Sequence, residues 1–369
     1  MHPTQIEINT TQFITNLESI RQVIGAQVKI CLPVKANAYG HGLVGISKLA
    51  EPYIDYLGVA CLDEGRQLRN HNICKPILVF GAFDEEQISG LIANNLDITI
   101  SSLYKAQLLV DYCRSHRCKA RVHLKVDTGM KRVGVRPDSA YALVDYILAQ
   151  PELELCGVYS HFAASEELDN DLTDLQLQEF TPVAGYVKNL KPDVLCHIAN
   201  SGGVCYHPQS YFDMVRPGLL SYGYFPGDKL ESAALKLVKP IFALKSRVSY
   251  FKVVSAAAGI SYNHRYHTAN QSRIVTLPIG YGDGYRRGLS TTGQAIIRGI
   301  KYPIAGNICM DMLMVDLGPS GEAYVGDEVV LIGEQNGVEI AIEELAGSLN
   351  TIIYEILVGF NERIPRIYL

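Results

Sequence analysis

The chain has 369 residues, 48% of them apolar, and a formal net charge of −5. That length predicts about two domains, with ample apolar mass for a large core. Acids and bases are interspersed, so neither a basic nucleic-acid stripe nor a like-charge tail is present. No apolar run approaches the roughly 20 residues of a membrane helix, and the polar first eleven residues lack a secretory apolar core. Nine cysteines without a Cys-x-x-Cys pair argue against a disulfide framework and for a reducing cytoplasm. Within apolar runs, Cys31, Cys61, Cys156 and Cys196 read as small buried hydrophobes.

From residue 11 to 235 short apolar runs alternate with helix-like stretches. Thr11–Ile24 is an amphipathic helix. Eight strand-like runs then follow: Val28–Val34, Tyr56–Cys61, Pro76–Phe80, Leu96–Ile100, Arg121–Val126, Leu155–Tyr159, Val194–Ile198 and Phe212–Val215. A second amphipathic helix covers Ala140–Ala149. Eight strand–helix units predict an α/β fold, a (β/α)8 TIM-like barrel. From residue 236 the rhythm changes to strand-like runs joined by Gly282-Asp283-Gly284, Gly318-Pro319, Gly326-Asp327 and Asn336-Gly337. These turns predict a mostly antiparallel β domain over 236–369, joined by residues 1–10, with one helix near Ile342–Leu349. Asp283-Gly284 reads as a hairpin turn.

Barrel chemistry sits just past the C-terminal strand ends. Those positions hold Lys35, Lys125 with Arg132, His161, Asn200-Ser201-Gly202 and Arg216-Pro217-Gly218. The last two groups follow strands seven and eight, where such barrels often hold a phosphate, and Ser201 with the backbone at Gly202 and Gly218 could supply donors. Lys35 leaves an apolar strand into a loop of small residues. Desolvation there favours the neutral amine that condensation with an aldehyde requires. A rim lysine paired with a carboxylate is the competing reading.

The run Val34-Lys35-Ala36-Asn37-Ala38-Tyr39-Gly40-His41-Gly42 resembles the cofactor-binding signature of alanine racemases. Lys125 to Arg132, His197 to Ser201, Val215 to Gly218 with Tyr222-Gly223, Gly259 to Tyr262, Pro278 to Gly284, Cys309-Met310-Asp311 and Tyr354-Glu355 resemble further family segments, in family order. Lys131, where many members have Gly or Asn, and Gly282, where Ala is common, depart from the pattern without removing a chemical group. The resemblance implies pyridoxal 5'-phosphate held by Lys35 and an L-alanine/D-alanine interconversion with two bases, Lys35 and Tyr262, on opposite faces of Cα. A phenol titrates near ~10, so Tyr262 would need a Tyr262–His161–Arg216 chain to act as a base. Arg216 would face the pyridine nitrogen. His161 and Asn200 would also lie against the cofactor, and Tyr39, Ser201, Gly218 and Tyr354 would bind its phosphate. Arg132 and Met310 would hold the substrate carboxylate, with Tyr281 beside them. Lys125 matches a lysine that many members carry as a carbamate; the alternative is an ordinary Lys125–Asp127 ion pair. The family also implies a homodimer whose β domain covers the partner's barrel, so that active sites are shared between chains, and no nucleic-acid or membrane partner.

Two other functions share these features. A same-fold decarboxylase for a basic amino acid usually places a carboxylate, not an arginine, at the pyridine nitrogen, which Arg216 disfavours. A non-catalytic cofactor carrier would not need a large second domain bearing Tyr262, Tyr281 and Met310. Gly280-x-Gly282-x-Gly284 lacks the spacing of a dinucleotide fingerprint, and His264 with His267 lacks further metal-ligand partners in sequence.

Overall fold

The structure, a computed structural model, describes residues 3–227 and 232–369. They fall into two compact units: Thr11–Ala38 with Leu43–Pro240, and residues 3–10 with Tyr39–Gly42 and Ile241–Leu369. Among the described residues no helix is long and apolar enough to cross a membrane.

The first unit holds eight parallel strands: β1 (Lys29–Pro33), β2 (Tyr56–Val59), β3 (Ile77–Val79), β4 (Asp97–Ile100), β5 (Ala120–Lys125), β6 (Leu153–Tyr159), β7 (Leu195–His197) and β8 (Met214–Val215). Each of β1 to β7 pairs with its neighbours in chain order, and β8 pairs with β1 through Lys29↔Met214 and Ile30↔Val215. Between β7 and β8 there is no ladder. The Asp213 N–H donates to the Cys196 carbonyl at 3.0 Å and the Arg216 N–H to the Ala199 carbonyl at 2.8 Å, so backbone bonds bridge the seam. Strands covered on both faces read as continuous apolar runs, and β2, β3 and β4 are buried throughout. This is the nearly closed (β/α)8 barrel that the eight runs predict.

The outer helices show why their segments are helical. Thr10–Ile24 buries Phe13, Leu17, Ile20 and Ile24, the i, i+4, i+7 and i+11 positions of one face. Leu103–His116 starts at Ser102, whose Oγ accepts the Lys105 N–H at 3.2 Å, and stops at Arg117 with φ 53°.

The second unit is mostly antiparallel. Gln5–Ile8 lies between Phe242–Arg247, antiparallel, and Arg366–Tyr368, parallel. Glu328–Gln335 joins Phe242–Arg247 to the hairpin Gln294–Ile297/Ile300–Pro303. Tyr250–Val254, Ser272–Leu277 and Leu313–Asp316 form a separate three-stranded antiparallel sheet. The Asn336-Gly337 signal is a two-residue hairpin loop, with both residues at positive φ, between Glu328–Gln335 and Val338–Ile340.

Three local expectations are corrected. Asp283-Gly284 closes a 3-10 turn, Tyr281–Asp283, rather than a hairpin, because the flanking strands pair with other partners. Two helices, Ile342–Ser348 and Ile353–Gly359, stand where one was expected. Cys31 and Cys196 are buried, but Cys61 is exposed and Cys156 partly so. Cys61 lies at the N-cap of Leu62–Asn70, beyond its strand, and Cys156 shares the outward register of Glu154 on β6.

Candidate active site

Lys35 follows β1 directly. Its backbone leads into four successive left-handed residues, Ala36, Asn37, Ala38 and Tyr39, with φ of 53°, 56°, 53° and 53°. Non-glycine residues pay about 1–2 kcal/mol each for this conformation, and such strain collects at functional sites. Side-chain bonds hold the turn: Glu64 Oε1 accepts the Ala36 N–H at 2.7 Å and Asn37 Oδ1 accepts the Leu43 N–H at 2.7 Å. Lys35 is half-buried. Burial draws its amine down from the usual lysine range, the Arg132 charge adds to this, and Glu64 opposes it. The competing reading of a carboxylate-paired ammonium finds no ion pair at Lys35 among the described contacts.

Arg216 follows β8 and is 3% exposed. Its Nη2 donates to the Ser160 carbonyl at 2.7 Å, to the Ile198 carbonyl at 3.0 Å and to His161 Nδ1 at 3.2 Å. Its Nη1 donates to His197 Nδ1 at 2.7 Å. Burial lowers the guanidinium to about 10, which leaves it charged at neutral pH. His161 is held well below the usual histidine range, first by burial and then by Arg216, so its imidazole is neutral and can accept from the arginine.

Lys125 ends β5 with its Nζ buried and without a hydrogen-bond partner, 4.4 Å from the centroid of the Tyr159 ring. Burial pushes it well below the lysine range, and Arg216 and Arg132 push the same way. Asp127 does not pair with it. Asp127 Oδ1 instead accepts the Gly129 and Lys131 N–H groups, both at 3.0 Å, shaping the loop that presents the exposed Arg132. In that loop Lys131 sits at φ 57°. Gly and Asn adopt this region most cheaply, which accounts for the residue types the resemblance leads one to expect there.

Asn200 caps the short helix Ser201–Tyr206, its Oδ1 accepting from the Gly203 N–H at 3.0 Å and from Ser165 Oγ at 2.7 Å. Ser201 Oγ accepts the Leu220 N–H at 3.1 Å, tying this turn to Gly218–Ser221. The first unit thus gathers Lys35, Lys125, Arg132, His161, Asn200, Ser201, Arg216 and Gly218 at the strand ends. A surface cleft on the same unit, lined by Glu166, Glu167, Asp169 and Asp171, repels anions and is no place for a phosphate.

The second unit makes its own cluster. The Tyr281 N–H donates to the Cys309 carbonyl at 3.1 Å and the Gly282 N–H to the Met310 carbonyl at 2.8 Å. A Cβ at Gly280 would come within 2.2 Å of the Cys309 carbonyl oxygen, so this approach requires glycine. Asn307 Nδ2 donates to the Tyr262 carbonyl at 2.7 Å. Residues 307–310 therefore bring Tyr262, Tyr281 and Met310 onto one loop system, with all three side chains exposed. Tyr39 and Tyr354 form a second pair, ring centroids 5.9 Å apart. The sequence reading overlooked His197 and Tyr159 as parts of the site, although both lie on strands it located; their rings stack at 4.9 Å beneath Arg216 and Lys125.

Comparison with known proteins places the whole chain in one family. The family model of the alanine racemase N-terminal domain matches residues 8–226 and that of the C-terminal domain matches 241–368. An alanine racemase of Halothermothrix orenii is 38% identical, over 99% of this chain and 97% of that protein. Alanine racemase 2 of Caldanaerobacter subterraneus subsp. tengcongensis is 36% identical over 100% and 95%. The solved alanine racemase of Clostridium difficile 630 superposes with a TM-score of 0.93 at 34% identity, covering 100% of this chain and 96% of that one. Strand-end lysine, buried arginine and both domain matches converge on one conclusion: the chain belongs to the alanine racemase family.

Proposed function

We propose that the protein interconverts L-alanine and D-alanine with pyridoxal 5'-phosphate, as a cytoplasmic homodimer, supplying D-alanine for peptidoglycan or allowing its use. The observation that carries the reading is the full-length family match, joined to a rim that suits this cofactor. Lys35 is an amine drawn toward its neutral form, as attachment to an aldehyde needs. Ser201 with the Gly218 turn, and Tyr39 with Tyr354 on the second unit, would bind its phosphate, and Asn200 would lie against the cofactor. When bound, pyridoxal phosphate supplies an electron sink for the pair left at Cα as its proton departs.

The rest of the chemistry belongs to the chain. Lys35 Nζ holds or delivers the proton on one face of Cα and Tyr262 Oη does so on the other, which makes the exchange of hands possible. Arg132 and the Met310 backbone hold the substrate carboxylate beside Tyr281. Neutral His161, bonded to Arg216, supports Tyr262. Lys125 is a buried amine drawn toward its neutral form, and addition of carbon dioxide to that form with loss of one proton would turn it into an anionic carbamate. That anion would orient Arg132, which a buried ammonium would repel.

The direct test is chiral analysis of products from L-alanine, with carbon dioxide followed alongside. Equal amounts of both enantiomers without gas release are expected. Release of carbon dioxide would favour the decarboxylase of the same architecture, and loss of neither would leave a cofactor carrier.

The role of Arg216 makes a separate prediction. Its guanidinium can only donate, so it disfavours a proton on the ring nitrogen. Arg216→Glu reverses this. Racemisation is expected to fall by at least about a hundredfold, while pyruvate from transamination, read with a coupled dehydrogenase, rises above the wild-type background. Glutamate would also leave buried acceptors unpaired, at about 1–3 kcal/mol each, so the comparison is made on folded protein checked by circular dichroism. Unchanged racemisation and unchanged pyruvate would remove the electronic role.

A further inference from the structure

A line of polar side chains crosses the barrel interior from the site to the opposite strand ends. Arg216 Nη1 meets His197 Nδ1 at 2.7 Å. His197 Nε2 meets His123 Nδ1 at 3.1 Å. His123 Nε2 meets Asp97 Oδ2 at 3.3 Å. Asp97, the first residue of β4, is gripped by Arg121 near the start of β5, Nε to Oδ1 at 2.7 Å and Nη2 to Oδ2 at 3.2 Å. The Tyr56 hydroxyl donates to the same Oδ2 at 3.2 Å. His123 and His197 are fully buried and Asp97 is 1% exposed.

The donors and acceptors leave one arrangement. Arginine only donates, so His197 Nδ1 must accept and its proton must sit on Nε2. That proton points at His123 Nδ1, which must accept in turn. The His123 proton is then on Nε2 and is given to the Asp97 carboxylate. Both rings carry one proton each, both on Nε2, and every N–H dipole points away from the site. Burial pushes the Asp97 carboxyl up, but the bonds from His123 and Arg121 outweigh it and hold it below the usual range. The anion is therefore present at neutral pH.

Barrel cores are normally filled with branched aliphatic side chains. Burying an ion pair and two imidazoles is often no more stabilising than an apolar replacement, so stability alone does not account for the line. Its upper end does: it terminates on the guanidinium that the proposed function sets against the cofactor.

We propose that Asp97 and His123 are positioning residues for Arg216, acting from the far end of the barrel through His197. The carboxylate polarises the two rings in sequence. It enriches the lone pair that His197 offers to Arg216 and so fixes the guanidinium in place. The catalytic consequence rests on the racemase reading; the tautomers do not.

The test begins with cofactor-free protein carrying 15N-labelled histidine, the signals of His123 and His197 picked out from those of the ten histidines with His123→Gln and His197→Gln. Both rings are expected to show a protonated Nε2 and a bare Nδ1. In Asp97→Asn, the signals of His123 and of His197 are both expected to move. In the loaded enzyme the same change is expected to lower kcat about tenfold while KM for alanine stays within about twofold. If Asp97→Asn does not fold, His123→Asn still accepts from His197 but cannot reach Asp97, and the same kcat loss is expected. A protonated Nδ1 on either ring, a His197 signal unmoved by Asp97→Asn, or an unchanged kcat would overturn the relay. Wild-type protein that shows the expected tautomers but racemises no alanine would defeat the racemase reading and leave the relay standing.

Discussion

Lys35→Ala is expected to abolish racemisation and the visible colour of the cofactor-loaded protein together. The first unit offers two amines that burial draws toward their neutral form, and chemistry alone would let either condense with an aldehyde. Lys35 is half-buried and opens into a turn locked by Glu64 and Asn37, so its backbone is fixed while its side chain is reachable. Lys125 is 7% exposed, with its Nζ against the Tyr159 ring. Loss of the base should reduce kcat by at least about a thousandfold, whereas Lys125→Ala should leave the colour in place. Borohydride reduction of the wild-type protein, followed by peptide mapping, should find the cofactor on the peptide containing Lys35. A label on Lys125 would overturn the assignment.

The two amines also show what a sequence can and cannot reveal about such a site. Lys35 was visible because strand ends are readable. An apolar β-branched run stops, small residues follow, and a cation at that junction stands out. The same logic located β1 to β8, since strands covered on both faces carry no alternating pattern to confuse with a helix. The Asn336-Gly337 hairpin was readable because its loop demands positive φ at both positions. Asp283-Gly284 carries a similar signal yet closes a 3-10 turn. Which strands pair is settled by contacts far along the chain, not by the turn. The left-handed run Ala36–Tyr39 left no local trace, because no propensity favours four non-glycine residues there; bonds from Glu64 and Asn37 hold it. His123, His197 and Asp97 were overlooked for a related reason. Inside a strand, a polar residue looks like any outward-facing one until the barrel closes and shows that it points inward. The second helix of the β-rich unit, Ile353–Gly359, is only seven residues long, too short for a helical period to register.

Co-expression of Lys35→Ala with Tyr262→Phe is expected to restore substantial racemisation, although each homodimer alone is nearly inactive. Lys35 lies on the barrel unit, and Tyr262 is carried with Met310 and Tyr281 on the other. Tyr262 is 68% exposed, which is unusual for a group meant to move protons out of reach of water. An exposed base calls for a cover, and the proposed homodimer supplies one if Tyr262 of one protomer serves Lys35 of its partner. A two-fold arrangement makes two equal sites of this kind. In a mixed dimer one site then inherits Lys35 from one chain and Tyr262 from the other and is intact, while its twin lacks both bases. With random pairing about half of the dimers are mixed, and each has one working site, so activity should approach about a quarter of the wild-type value. Sites built within single chains would each lack one base, and mixing would restore nothing. Mass spectrometry of differently tagged chains establishes that heterodimers form. Heterodimers without recovered activity would exclude the shared site, and recovery that disappears on dilution below the dimer dissociation constant would tie it to the assembled pair.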